Sequence, residues 1–336
     1  MAYDVKVNID LTKPIGSAGF GVPLILMENA SEAVAYTVVH GVDGVVTAGF
    51  EVGSVVYKTA QLIYSQKNAP KEIAVCAVTG GADVALADEL LTSKDWRQLI
   101  VVNDGGDAVT AVSKVATAVE ALDGKLYFAS LDTDDTTEIT VTGLRRTVLF
   151  YCDATEDAPV PVAALVGETA GRTAGSFTYK NLPLIGILPQ ELTDAQIKAI
   201  HDKGGITFLA KAGDNVTSEG KLAGGEYIDI MDIEDYIILQ LTYKTQKLLN
   251  NAAKVPYDNN GIAMLETVAM DVLQGAYNNG MIAVAEDGSP DFSVSYALRE
   301  DTSEEDRSNR RYLGGSFTFA LAGAVHEVEI TGTISA

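Results

Sequence analysis

Ile73-Ala74-Val75-Cys76-Ala77-Val78-Thr79-Gly80-Gly81, followed by a helical pattern over residues 83–91, reads as a buried strand, a glycine turn and a helix in succession. The strand is a continuous apolar run rather than an alternating one, which predicts a sheet covered on both faces. The same unit recurs to either side. Candidate strands lie at 35–39, 99–102, 125–129 and 147–151, and helical patterns lie at 52–65 and 107–122. Alternation of this kind from about residue 34 to 152 is the α/β signature.

Upstream, Pro14, Gly16, Gly19, Gly21 and Pro23 favour irregular, extended backbone, so residues 1–30 are expected to form an arm. Downstream the order changes. A helix is expected at 159–170 and an extended stretch at 177–187. Thr193-Asp194-Ala195-Gln196 is a capping box that opens a short helix ending at Gly204-Gly205. Strands at 206–210 and 225–230 are expected to flank a polar loop at 213–220. Two long amphipathic helices follow, one carried by Ile233, Ile237, Leu241 and Leu248, the other by Ile262, Leu265, Ala269, Val272 and Ala276, with Pro256 between them. A strand at 292–298, a charged segment at 299–311 and two terminal strands complete the chain. The expected organisation is an arm (1–30), an α/β domain (31–172), an α+β domain (173–314) and a C-terminal strand or arm (315–336).

Both ends alternate with period two. Val5, Val7 and Ile9 share one face near the start, and Val328, Ile330 and Ile334 share one near the end. Such strands need partners, in the same molecule or in a neighbour.

Composition narrows the function. The 336 residues carry a formal charge of −22 with a pI near 4.4, which argues against nucleic acid or an anionic membrane as partner. Asp4, Lys6 and Asp10 interrupt any secretory h-region, and no apolar run reaches the length of a membrane span. Cys76 and Cys152 each sit in an apolar run and are expected to be buried free thiols.

Motifs for chemistry are weak. Gly16-Ser17-Ala18-Gly19-Phe20-Gly21 reverses the dinucleotide spacing and precedes no convincing helix. The turns at Gly80-Gly81 and Gly105-Gly106 lie between strand and helix, where amides could hold an anion, but neither has the phosphate-binding Lys. His40, His201 and His326 lie in unrelated segments; His201 falls near a helix C-terminus, where a positive charge would meet the dipole favourably. Asp132-Thr133-Asp134-Asp135 lacks the Gly and Glu of a calcium loop and reads as a solvated turn. Arg307, Arg310 and Arg311 cluster in an acidic chain, either as a solvated surface or as a contact for a partner's carboxylates. No catalytic, metal-binding or cofactor-binding residue is expected.

Three stretches together resemble the tail sheath proteins of contractile bacteriophages and phage-tail-like bacteriocins. They are Gly225-Glu226-Tyr227-Ile228-Asp229-Ile230 with Ile233-Glu234-Asp235-Tyr236; Lys254-Val255-Pro256-Tyr257-Asp258-Asn259-Asn260-Gly261-Ile262; and Asp306-Arg307-Ser308-Asn309-Arg310-Arg311 leading into Leu321-Ala322-Gly323-Ala324-Val325-His326 and Val328-Glu329-Ile330-Thr331-Gly332. The resemblance is strongest from about residue 175 onward, and Asp95-Trp96-Arg97 is compatible with it. It implies a structural subunit, not an enzyme, that stacks in six-membered rings around a tail tube. It also implies that terminal arms of neighbouring subunits complete a β-sheet in a third. Implied partners are further copies of the chain, the tail tube protein, and baseplate and tail-terminator proteins. Assembly would take place in a bacterial host cytoplasm, with release by lysis and no membrane insertion. The alternatives are another phage structural protein, such as a tube or capsid subunit, or a nucleotide-binding α/β enzyme.

Overall fold

The computed structural model describes residues 20–103, 108–134 and 143–326, and the chain parts into two units between Ala253 and Lys254. The first unit runs β1 (Val22–Glu28), β2 (Val34–Val39), α1 (Gly41–Thr47), α2 (Val55–Tyr64), β3 (Ile73–Ala77), α3 (Ala82–Ala85), α4 (Glu89–Thr92), β4 (Trp96–Asn103), α5 (Ala108–Glu120), β5 (Leu126–Leu131), β6 (Thr147–Tyr151), α6 (Val162–Ala170), α7 (Asp194–Asp202), β7 (Gly205–Lys211), β8 (Asp214–Thr217) and α8 (Ile228–Asn251). Its strands form one eight-stranded sheet in the order β2-β3-β1-β4-β5-β6-β7-β8. Neighbours from β3 to β7 are parallel, and the edge strands β2 and β8 are antiparallel to theirs.

Continuous apolar runs are what such a sheet demands, because successive side chains serve opposite faces. Ile25, Val75, Ile100, Phe128 and Phe150 face one core with α1, α2 and α6. Their neighbours Leu24, Ala74, Leu99, Tyr127 and Leu149 face the other, with residues of α3, α5 and α7. Each fully buried Leu, Ile or Phe contributes about 1.5–3 kcal/mol, so both faces are held strongly.

Four expectations are corrected. Residues 22–28, assigned to the arm, form β1 between β3 and β4 at the centre of the sheet. Pro23 is tolerated there because the pairing with β4 shifts register between Val22 and Leu24. The boundary expected at 172/173 falls within the first unit, since Leu149, Phe150 and Tyr151 of β6 pair with Gly205, Ile206 and Thr207 of β7. The polar loop at 213–220 contains β8, joined to β7 through Ala212 and Gly213, both at positive φ, as a two-residue hairpin requires. The strand expected at 225–230 is a turn and the first residues of α8; Ile228 and Met231, three apart, are both buried. The capping box is present as read: Thr193 accepts from the Gln196 amide, and the Gln196 side chain accepts from that of Thr193.

The second unit contains α9 (Asn259–Asn278), β9 (Phe292–Tyr296), a 3-10 turn (Arg299–Asp301), α10 (Glu304–Ser308) and β10 (Gly315–Phe319). Asp258 caps α9 by accepting from the amides of Asn260 and Gly261. Gly261 is required at that position, because a Cβ there would lie 1.9 Å from the Pro256 carbonyl oxygen. β9 and β10 pair antiparallel from Phe292↔Phe319 to Tyr296↔Gly315. Phe292, Val294, Tyr296, Phe317 and Phe319 are half-buried, while Ser293, Ser295, Ser316 and Thr318 between them are exposed. The first unit is therefore α/β and the second α+β, the α/β part extending past the expected 172 to Ala253.

Candidate functional site: a buried charge clasp and an exposed hairpin

β4 carries a charge where apolar residues surround it. Arg97 is only 4% exposed, and an uncompensated buried guanidinium would be very costly. Its partners come from α8. Asp232 and Asp235, three residues apart, lie on one face of the helix, and both are buried. Arg97 pairs with Asp232 through Nη2 and with Asp235 through Nη1, the latter at 2.7 Å. Nη1 also donates to the Gly124 carbonyl at 3.0 Å. Arg146, just before β6, grips Asp235 with both guanidinium nitrogens, at 2.9 and 3.1 Å. The Tyr179 hydroxyl donates to Asp232 at 2.9 Å.

The clasp is thus two guanidiniums, two carboxylates and a phenol, in charge balance. Burial pushes the Asp235 carboxyl upward, but Arg97 and Arg146 outweigh it and hold it below the usual range. Burial works against the charge of Arg97 too, and the two aspartates overcome it. At Asp232 burial prevails over the pull of Arg97 and raises the carboxyl. Burial together with Asp232 drives the Tyr179 phenol well above its ordinary value. Phe20 stacks on the open face of Arg97, with its ring centroid 4.0 Å from Cζ, and meets Tyr236 edge-on at 6.3 Å. Arrangements of this kind fix geometry.

Val5, Val7, Ile9, Val328, Ile330 and Ile334 lie outside the described residues, as do Gly105, Gly106 and Asp135. Of the arginine cluster, Arg307 turns inward: its Nη1 donates to the carbonyls of Arg299, at 3.1 Å, and Thr302. Arg311 pairs with Asp306 at 2.9 Å. Arg310 is exposed at φ +53°, and its side chain makes no ion pair among the described residues.

At Gly80-Gly81 the amide of Ala82 is already engaged, donating to the buried Glu28 carboxylate at 2.9 Å, so the chain's own anion sits at that turn. His201 lies in the last turn of α7 as expected, but burial works against the charge that would meet the dipole. Burial lowers its pKa, and Nε2 lies 2.9 Å from the Ser218 hydroxyl. Cys76 and Cys152 are buried and free, and burial pushes the Cys152 thiol up to about 12. Asp132 accepts from the Ala154 amide at 3.1 Å, a turn contact. Among the described residues, no group of three or more His, Cys, Asp or Glu is placed to hold a metal, and no helix is long and apolar enough to cross a membrane.

The clasp was absent from the expected sites. Its signal was two aspartates at i and i+3 among the isoleucines of Ile228-Asp229-Ile230-Met231-Asp232-Ile233-Glu234-Asp235, together with an arginine in a strand.

Comparison with known proteins agrees with this architecture. Residues 228–334 match the family model of the E217 tail sheath protein gp31-like C-terminal domain, beginning at the first residue of α8. No curated protein sequence matches the chain. Among solved structures, a chain of the anti-feeding prophage baseplate superposes with TM-score 0.72 at 14% identity, over 99% of this chain and 98% of that one. The anti-feeding prophage helical sheath in its contracted state gives 0.71 at 15% identity, over 98% and 99%. The contracted sheath complex of an extracellular contractile injection system, PVC, gives 0.70 at 12% identity, over 99% and 98%. Residues 228–334 therefore match the tail sheath C-terminal domain, and the chain as a whole has the fold of contractile sheath proteins.

Proposed function

We propose that this chain is the structural subunit of a contractile sheath, polymerising as stacked six-membered rings around a tail tube. The observation that carries this reading is the coincidence of two independent likenesses. One is a sheath domain match over residues 228–334, and the other is a full-length fold shared with sheath chains. Contraction drives the tube through a target envelope, and the work comes from conversion of a metastable extended lattice into one with better contacts between subunits. The chain is not an enzyme, and no nucleotide is consumed.

The β9–β10 hairpin supports the mode of connection. Two strands alone are marginal in water, and here one face is aromatic and only half-covered. Val5, Val7 and Ile9 of one copy and Val328, Ile330 and Ile334 of another are the strands proposed to extend it, giving main-chain hydrogen bonds and register. Arg310 is proposed to meet a carboxylate of a neighbouring copy or of the tube protein. The remaining partners are baseplate and tail-terminator proteins, with assembly in a bacterial cytoplasm and release by lysis.

Deletion of residues 1–12 tests the connection. The truncated chain is expected to keep the buried-tryptophan emission of the folded first unit and to sediment as a small species, while the full chain sediments as large assemblies. Undiminished polymerisation of the truncated chain would refute it.

A further inference from the structure

Phe20 occupies an unusual position. Its ring covers the guanidinium face of Arg97, the residue whose edge donors hold Asp232 and Asp235 at the start of α8. Immediately after it, Gly21 has φ +85°, and a Cβ there would lie 2.8 Å from the Trp96 carbonyl carbon and 2.9 Å from the Arg97 nitrogen. Val22 is then fixed, its amide donating to the Asp95 carbonyl at 3.2 Å as β1 enters the sheet. The chain thus has a fixed point at Val22, a glycine that can rotate at residue 21, and an aromatic ring beyond the pivot. A cavity of about 50 Å³ lies against this ring, bordered by Phe20, Arg97, Gln98, Thr169, Tyr179 and Asp232. Its lining is part polar and part apolar, with Phe177 and Ala174 also bordering it, and it is large enough to take a water molecule.

We propose that Phe20 is a removable cap on the Arg97 clasp, so that unseating its ring loosens the first turns of α8. While the ring is seated, the Arg97–Asp232 pair is separated from bulk solvent and meets no more than this small cavity, so its attraction is felt at low dielectric. Once the ring swings away about Gly21, water reaches the pair through the cavity and the attraction falls toward that of an exposed pair. Tyr236, one residue beyond Asp235, loses its edge contact with Phe20 in the same movement. Asp232 and Tyr236, one turn apart on the same face of α8, thereby respond to the same event. The coupling between Phe20 and α8 does not rest on the sheath reading.

Hydrogen exchange on the unassembled full chain, below the concentration at which it polymerises, tests the coupling directly. Phe20→Ala is expected to speed exchange of the amides at 232–238 about tenfold or more, in keeping with loss of a shielded cation–π contact, while the β5 and β6 amides keep their protection. Phe20→Trp, which retains an aromatic face over Arg97, is expected to preserve the protection of α8. Faster exchange confined to residues 20–24, or equal acceleration throughout the sheet and α8, overturns the proposal. Failure of the chain to form tubes would count against the sheath reading and leave this result standing.

Discussion

Replacing Asp235 by Asn removes one charge and almost no volume, leaving Arg97 paired with Asp232 and taking away the carboxylate that Arg146 grips. Three contacts depend on that charge: Arg97 Nη1 at 2.7 Å and the two Arg146 nitrogens at 2.9 and 3.1 Å. The Arg97 contact is fully buried and the Arg146 contacts are part-buried, and Asp235 itself is 6% exposed. Breaking a buried pair from one side strands the remaining charge, at a cost of about 3–5 kcal/mol. The contrast is Arg145, whose contact with Glu226 at 3.0 Å joins side chains 54% and 48% exposed. Arg145→Ala should cost below about 1 kcal/mol. Urea unfolding followed by tryptophan emission reads both, because the single tryptophan, Trp96, is buried in β4 beside Arg97. With a urea slope on the order of 3 kcal/mol/M, Asp235→Asn should lower the midpoint by roughly 1 M or more. A shift no larger than that of Arg145→Ala would show that the clasp does not hold α8 to the sheet.

The other predictions concern single groups. Gly261→Ala should destabilise the second unit by about 1–3 kcal/mol, since its methyl meets the Pro256 carbonyl; exchange at α9 that matches the parent chain would contradict this. His201 has its pKa lowered below the ordinary 6.5 by burial, so the unfolded chain binds more protons just below that pH. Stability is then full above 6.5 and falls as pH drops through it, and His201→Gln should flatten the slope; an unchanged slope would remove His201 as its source. Cys152, pushed up to about 12 by burial, and Cys76, also raised by burial, should resist alkylation at pH 8 until the chain is unfolded, and rapid modification of either in the native chain would contradict their placement. Arg310→Glu should weaken assembly more at low salt than at high salt; assembly indifferent to this change at every ionic strength would assign Arg310 to solvent.

Local signals in the sequence recovered much of the fold. The buried strand at 147–151 and the Thr193 capping box depend on neighbouring residues only, and both appear where the pattern placed them. β1 was obscured because Gly16, Gly19, Gly21 and Pro23 dominate the segment, although Leu24-Ile25-Leu26-Met27 carries the same apolar run as the other central strands. Tertiary pairing decided that strand, not propensity. The clasp was hidden for a different reason. Its members lie 135 and 138 residues apart, and nothing local says which buried arginine meets which aspartate. The period-two patterns at residues 5–9 and 328–334 lie outside the described residues, so the strands they predict and the pairing proposed for them await the assembly.

Electron microscopy of the purified full-length protein tests the central claim most directly. A contractile sheath subunit should form wide, hollow helical tubes with six-fold symmetry in projection, with added strand density beside the β9–β10 hairpin once the map resolves strands. A protein that stays monomeric at every concentration, or whose tubes show β9–β10 without added strands, would contradict the account.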